Sequence, residues 1–183
     1  MWAIVESGSI TKVYTRPQSF KIGDTQYPAN TMALWSESQL QSIGVYPVTI
    51  DSTNLKDKEY YINTDITYAV DGLTVKGTYG TATAKPLDDV LFTAQDETDG
   101  LGTEGEIKQY GLKPQHKASI NSQAGGILQP TDWMVVREAV RTKANTMCTA
   151  IDDASDIDAL IALYVYNDAT PPVRPLGELP EVG

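Results

Sequence analysis

The chain has 183 residues, of which 24 are acidic and 14 are basic, so its net charge is -10 at pH 7. This charge repels phosphate backbones and anionic lipid, which makes nucleic acid and membrane surfaces poor candidate partners. The apolar content of 41% is typical of a soluble globular protein, and no segment approaches the roughly 20 apolar residues that span a bilayer. The first residues lack the basic region of a signal peptide, which predicts a protein made in a cytoplasm.

Residues 1–92 have the pattern of a small β-rich domain. Short apolar and β-branched runs are separated by three tight-turn signals, which are Glu6-Ser7-Gly8-Ser9, Gly23-Asp24 and Asp71-Gly72. Glycine supplies the positive φ that two-residue hairpin turns require, and Pro28 ends the strand pattern that follows the second turn. These turns predict five to seven strands, roughly, in this part of the chain.

One short helix interrupts the predicted strands. Ser36 and Gln39 have the spacing of a capping box, Leu40 and Ile43 share one face, and Gly44 follows where a left-handed residue ends a helix. The pattern predicts a helix of about two turns.

Residues 93–126 follow the β-rich part of the chain, and from Thr93 to Lys117 they show no sustained periodicity. This stretch contains the acidic run Asp96-Glu97-Thr98-Asp99 and several glycines. It is interpreted as an extended connector that becomes ordered only against another chain.

Residues 127–168 have the spacing of two helices joined by a short loop, which predicts an antiparallel helical hairpin. Pro130 ends the preceding segment, Thr131 can cap the first helix, Asp132 suits the positive helix end, and Trp133 is its first large apolar side chain. The apolar stripes consist of Trp133, Val136, Val140, Met147 and Ile151 on the first helix and Ile157, Leu160, Ile161, Tyr164 and Val165 on the second.

Residues 169–183 contain Pro171, Pro172, Pro175 and Pro180, which predict an extended tail. The fold class is therefore predicted as α+β, with a small β-rich N-terminal domain, an extended connector, a C-terminal antiparallel helical hairpin and a Pro-rich tail.

The residues that could carry chemistry do not form a recognisable site. His116 is the single histidine and is interpreted as a solvated loop residue, and Cys148, the single cysteine, as a buried small apolar residue. These two residues cannot supply the three or four ligands of a zinc site. No catalytic, cofactor-binding or metal-binding residue is predicted.

Carboxylate pairs occur at Asp88-Asp89 and Asp152-Asp153, and adjacent acids of this kind are interpreted as partners of helix starts. The run from Asp96 to Gly100 lacks the ligand spacing of an EF-hand. Glycines 72, 77 and 80 are not followed by the Gly-Lys-Ser/Thr of a phosphate loop, so they are interpreted as turn and strand glycines.

Tyrosine is unusually frequent, with ten tyrosines against two phenylalanines. This bias is shared by protein interfaces and sugar-binding faces, although strand positions also favour tyrosine. The tyrosines open to both interpretations include Tyr60, Tyr61, Tyr68 and Tyr79.

The phrase Leu128-x-x-Thr131-Asp132-Trp133-Met134, placed before the predicted hairpin, resembles a segment of bacteriophage tail-fibre and baseplate accessory proteins. The N-terminal half is similar to the leading segment of the same proteins, through Met1-Trp2, Arg16 to Phe20, Gln26 to Asn30, Trp35-Ser36, Gly44 to Pro47 and Lys85 to Asp88. The resemblance implies no catalytic residues.

The resemblance implies a structural component of a phage tail, at the fibre or baseplate, made in the host cytoplasm and located in the virion. Its expected partners are other tail or fibre proteins in a multi-subunit assembly. An alternative is a tail-fibre assembly chaperone that is absent from the mature virion. A virion-associated hydrolase is disfavoured because the sequence offers no supported nucleophile, metal set or carboxylate pair.

Overall fold

A computed structural model of the chain describes residues 1–128 and 134–180. The chain divides into two compact units, Met1–Thr83 (the N-terminal unit) and Ala84–Gly183 (the C-terminal unit). An N-terminal sheet and C-terminal helices are both present, so the α+β class is confirmed at this level. The residues on which the predicted hairpin start depends, Pro130 to Trp133, lie outside the described residues.

The N-terminal unit is built on a five-stranded mixed sheet. Its strands, numbered in chain order, are β1 (Trp2–Glu6), β2 (Ser9–Tyr14), β5 (Val45–Asp51), β7 (Ile66–Asp71) and β8 (Thr74–Tyr79). The spatial order is β2-β1-β5-β8-β7, with β5 and β8 parallel and the other neighbouring pairs antiparallel. The sheet curls so that its edge strands β2 and β7 approach each other.

Apolar side chains lie on both faces of this sheet, because successive residues of a strand point to opposite sides. One face carries a buried cluster, the outer cluster, of Ile4, Tyr14, Phe20, Met32, Leu40 and Val45. The other carries the inner cluster, which draws on all five strands through Ala3, Val5, Ile10, Val13, Tyr46, Val48, Tyr68 and Val75.

The three predicted tight turns are confirmed. Ser7 and Gly8 join β1 to β2 with φ values of 52° and 77°, and Gly72 joins β7 to β8 with a φ of 61°. Gly23 joins β3 (Phe20–Ile22) to β4 (Thr25–Tyr27), which form an antiparallel hairpin of their own. A further short strand, β6 (Tyr61–Ile62), precedes β7 in the chain.

The predicted short helix is confirmed as α2 (Glu37–Ser42). Its capping box is complete, because the Gln39 backbone N–H donates to Ser36 Oγ at 3.3 Å and the Ser36 backbone N–H donates to Gln39 Oε1 at 2.9 Å. Leu40 buries the apolar face of this helix in the outer cluster. A further one-turn helix, α1 (Thr31–Leu34), precedes it and was not predicted.

The extended connector predicted for residues 93–126 is wrong. After the short strands β9 (Thr83–Ala84) and β10 (Val90–Leu91), this stretch contains a short helix α3 (Ala94–Thr98), strand β11 (Ile107–Gln109) paired with β10, and most of a long helix α4 (Leu112–Leu128).

Helix α4 forms despite a sequence that does not favour it. Pro114 falls in the first turn, where a missing N–H costs nothing, but Gly125 and Gly126 weaken the last turns and no apolar stripe runs along the helix. Tertiary packing supplies what propensity lacks, since α4 packs along α5 (Met134–Asp152) and buries Ile120 and Ala124.

Of the apolar stripe predicted on α5, Val140, Met147 and Ile151 are buried, whereas Val136 is half-buried. Ala144 completes the buried row. Each buried residue lies three or four residues from the next, so they share one face of the helix.

The last helix is α6 (Ile157–Ala162). Its N-cap is Asp156, whose Oδ1 accepts the Ala159 N–H at 2.8 Å. Ile157 and Leu160 are buried as expected. Because the helix ends at Ala162, Tyr164 and Val165 of the predicted stripe lie beyond it.

Candidate interaction site

The segment after α6 folds into a loop closed by Asn167. The Asn167 backbone N–H donates to the Val173 carbonyl at 2.9 Å, and its side-chain Oδ1 accepts the N–H groups of Ala169 at 3.2 Å and Val173 at 2.9 Å. Pro171 and Pro172 inside this loop have no N–H to donate, so Asn167 supplies the contacts that hold it.

The chain then returns to the end of α6. Leu176 is only 2% exposed, and its N–H donates to the Leu163 carbonyl at 3.0 Å. The C-terminal segment was predicted as an extended tail; residues 169–180 are neither helix nor strand, and Leu176 anchors them to the rest of the C-terminal unit.

An arginine lies between two tyrosines in this segment. The guanidinium carbon of Arg174 is 5.6 Å from the ring centroid of Tyr164 and 5.5 Å from that of Tyr166. The Arg174 guanidinium also donates to Glu178 Oε2 at 2.8 Å, and the Tyr166 hydroxyl donates to Glu178 Oε1 at 2.5 Å. This hydrogen bond to Glu178 raises the pKa of Tyr166 and keeps the hydroxyl protonated.

The same network reaches α4 through His116. His116 Nδ1 and the Tyr164 hydroxyl are 2.7 Å apart, and their rings are tilted with centroids 4.9 Å apart. The prediction that His116 is a solvated loop residue is therefore wrong. It is half-buried on a helix, and it ties that helix to the C-terminal segment.

Beside this network lies a cleft of about 560 Å³, which we call the C-terminal cleft. Val165, Tyr166 and Val173 line it and are 58%, 52% and 53% exposed. The remaining lining residues are Ala162, Asn167, Arg174 and Pro175. A mostly apolar cleft on a hydrogen-bonded frame is suited to receive an apolar side chain from a partner.

Sequence reasoning did not identify the residues of this cleft. Tyr166 is one of the ten tyrosines whose frequency indicated an interface. Arg174 and Glu178 have the i, i+4 spacing of an ion pair, but they lie in a segment whose prolines predicted no regular structure. Only the loop closed by Asn167 brings these residues together.

The carboxylate pair Asp152-Asp153 was predicted to lie at the start of a helix. It lies at the end of one instead. Asp152 is the last residue of α5, where a negative charge is unfavourable to the helix dipole. Two lysines of α4 offset it, with Lys117 Nζ at 2.7 Å from Asp152 Oδ1 and Lys113 Nζ donating to the Asp152 carbonyl at 2.8 Å. The hydrogen bond to Asp152 raises the pKa of Lys117.

The other candidate acids also have structural partners. Asp89 Oδ1 accepts the Gly111 N–H at 2.8 Å immediately before α4. The run predicted as part of a connector forms α3, in which Asp96 Oδ2 accepts the Thr93 N–H at 2.9 Å and Asp96 Oδ1 accepts from Lys108 Nζ at 2.6 Å. The hydrogen bond from Lys108, with those from Thr93, lowers the pKa of Asp96 to about 2.

Cys148 lies on α5 beside α4 and is partly buried. Its Sγ is 3.8 Å from Asn121 Oδ1, and burial raises the pKa of its thiol. A raised pKa reduces the thiolate fraction at neutral pH, which opposes nucleophilic reactivity.

The tyrosines considered for sugar binding divide into two groups. Tyr60 is 6% exposed, so it does not present its ring to a ligand. Tyr68 is half-buried and packs against the inner cluster. Tyr61 and Tyr79 are half-buried. The most exposed tyrosines are Tyr110 and Tyr166, at 62% and 52%.

Within residues 1–128 and 134–180, no three His, Cys, Asp or Glu side chains lie close enough together to hold a metal ion. Over the same residues, no helix combines the length and the apolar character needed to cross a membrane. In comparisons with known proteins, no family model, no curated protein and no solved structure gave a significant match to this chain.

Proposed function

We propose that this chain is a structural component of a bacteriophage tail, at the fibre or baseplate, and that it acts by binding other tail proteins. The Leu128-x-x-Thr131-Asp132-Trp133-Met134 phrase supports the tail assignment through its resemblance to tail accessory proteins. The C-terminal cleft supports the mode of action, because it exposes three large apolar side chains on a frame held by Asn167, Leu176 and the Arg174 network.

The observation that favours binding over catalysis is the exposure of both Val165 and Val173 in one cleft. A side chain that is more than half exposed gains little stability for the free chain, whereas covering it with a partner removes apolar area from water. The acidic residues near helix ends already pair with lysines or backbone N–H groups, as Asp152 does with Lys117.

Protein identification on purified particles tests the tail assignment. A structural component is expected in a fixed number of copies per particle. Detection in infected cells together with absence from particles would favour the assembly chaperone instead. Absence from both particles and their assembly intermediates would contradict the proposal.

Charge introduced into the cleft tests the binding surface. Val173→Asp places a carboxylate among apolar side chains and is expected to reduce incorporation into particles. Val135→Asp is the matched control, because Val135 is 82% exposed and lies on α5 outside the cleft. Equal incorporation of both variants would contradict a role for the cleft.

A further inference from the structure

A second pocket, of about 480 Å³, lies in the N-terminal unit beside strand β2. We call it the lysine pocket. Part of its lining is apolar and comes from the outer cluster, through Ile4 and Phe20. The rest of the lining is polar or amphipathic and consists of Thr11, Lys12, Tyr14, Ser19, Lys21 and Gln26. Its volume lies within the roughly 300–1,000 Å³ range of small-molecule sites.

A β-bulge shapes one wall of this pocket. Val5 pairs with Ile10 and Ile4 pairs with Lys12, so Thr11 is an extra residue in β2 with no partner on β1. A bulge redirects side chains at the edge of a sheet. Here it brings both Thr11 and Lys12 to the pocket, and the Thr11 hydroxyl donates to the Ile4 carbonyl at 3.3 Å.

The polar groups of the pocket include both donors and acceptors. Gln26 Nε2 donates to the carbonyls of Phe20 at 3.0 Å and Tyr27 at 3.4 Å, which leaves its Oε1 to accept. The Thr11 hydroxyl donates its hydrogen to the Ile4 carbonyl, and its oxygen can still accept a hydrogen bond. A wall of this kind suits a ligand that carries several hydroxyl groups.

Tyr14 adds a further polar side chain to the lining of the pocket. It is only 5% exposed, and among the described residues its hydroxyl has no hydrogen-bond partner. No buried side-chain oxygen of the described residues lacks a partner, so this oxygen must reach solvent, and the lysine pocket is the opening that Tyr14 lines.

The charge of the pocket is opposite to that of the chain. Lys12 and Lys21 are its only ionisable lining residues besides Tyr14, in a protein whose net charge is -10. Lys12 Nζ lies 5.0 Å from the Tyr14 ring centroid, and Lys21 pairs with the fully exposed Asp24 at 3.5 Å. Exposed pairs of this length are weak, so a ligand carboxylate can replace Asp24.

We propose that the lysine pocket binds an acidic sugar of monosaccharide size, with its carboxylate on Lys12 and Lys21 and its hydroxyls on Tyr14, Thr11 and Gln26. The site lies in the N-terminal unit and does not depend on the tail assignment. An acidic side chain of a protein partner would use the lysines alone and would leave the hydroxyl partners unused.

NMR titration of the full chain with sodium glucuronate, glucose and acetate tests this site. Glucuronate is expected to shift the backbone amides of Thr11, Lys12, Lys21 and Gln26 saturably, and to bind more tightly than glucose or acetate. Equal affinity for acetate would overturn the sugar assignment in favour of a simple carboxylate site. Shifts that do not saturate, or that do not centre on these residues, would overturn the site itself.

Charge-removing variants localise the binding. Lys12→Gln and Lys21→Gln are each expected to weaken glucuronate binding by about tenfold, the effect of losing a hydrogen bond to a charged group. Lys76→Gln is the matched control, since Lys76 pairs with Asp51 at 3.0 Å and does not line the pocket. Tyr14→Phe is expected to weaken glucuronate without changing acetate binding. Unchanged affinity in both lysine variants would overturn the proposal.

Discussion

The turns and the helix start of the N-terminal unit depend on contacts of a different sequence range from those that hold helix α4 in the C-terminal unit. In the N-terminal unit, short turns at Gly8 and Gly72 and the capping box of α2 join residues close in sequence. In the C-terminal unit, α4 is fixed by side chains far along the chain, since His116 contacts a residue 48 positions away and Lys117 one 35 positions away. A segment with weak helix propensity can therefore form a stable helix where side chains distant in sequence hold it.

Truncation of a buried leucine should destabilise the core of either unit. Leu40 in the outer cluster and Leu160 on α6 are both 0% exposed. Replacing either by Ala should lower the free energy of unfolding by about 2–5 kcal/mol, because the lost apolar contacts leave a cavity. Urea unfolding measures the loss, with Leu101→Ala, 61% exposed, as the control. A loss at Leu40 alone would mean that the C-terminal unit has no comparable core.

A glycine inside the sheet should tolerate no side chain. A Cβ on Gly77 would lie 2.7 Å from Ile50 Cδ1 and 2.9 Å from Tyr68 Cε1. We expect Gly77→Ala to destabilise the chain by about 1–3 kcal/mol, since the inner cluster is overpacked by one methyl group. An unchanged thermal midpoint would show that Ile50 and Tyr68 move aside.

A glycine in α4 should behave in the opposite way. A Cβ on Gly126 would meet no atom within 4 Å, and Gly126 is exposed. Gly126→Ala should stabilise the chain by about 0.5–1 kcal/mol, because alanine loses less backbone freedom in a helix. Thermal unfolding of Gly77→Ala and Gly126→Ala measures whether each substitution lowers or raises the stability of the chain. Destabilisation by Gly126→Ala would mean that α4 is limited by something other than its propensity.

The contribution of Asp96 to stability should depend on pH. The pKa of Asp96 is lowered from 3.8 to about 2, so the stability it contributes is present above about pH 4 and is lost as the pH falls towards 2. Asp96→Asn keeps an oxygen for the Thr93 N–H but removes the charge that faces Lys108. The unfolding free energies of the two proteins should therefore differ at neutral pH and converge in acid. A difference in unfolding free energy that stays constant from neutral pH to acid would contradict a lowered pKa of Asp96.

The parts of the fold that were predictable from sequence are those in which a residue has a structural role that depends only on its neighbours in sequence. Gly72 supplies a positive φ, and Ser36 with Gln39 closes a helix start. Helix α4 was not predictable in this way, because Pro114, Gly125 and Gly126 argue against a helix and its stability comes from α5. Local patterns carry no information about partners that lie 35 or 48 residues away.

Both candidate sites were missed for the same reason. The C-terminal cleft depends on the fold of a proline-rich loop around Asn167, and proline content predicts the absence of regular structure without predicting this shape. The lysine pocket depends on the extra residue Thr11 in β2. The apolar spacing of a strand that contains a bulge differs from that of a regular strand by only one residue. The sequence pattern therefore does not reveal the bulge.

The short distance between β2 and β7 opposes association of two copies of the chain through their sheet edges. An open sheet presents two edges whose unpaired backbone groups can recruit a strand from another molecule. Here the Cα atoms of the two edges come within 8 Å of each other, whereas an inserted strand would need about 9–10 Å, twice the usual spacing between strands. Each edge therefore shields the other where they meet, and the sheet resists fibril-like growth without a closing hydrogen-bonded strand.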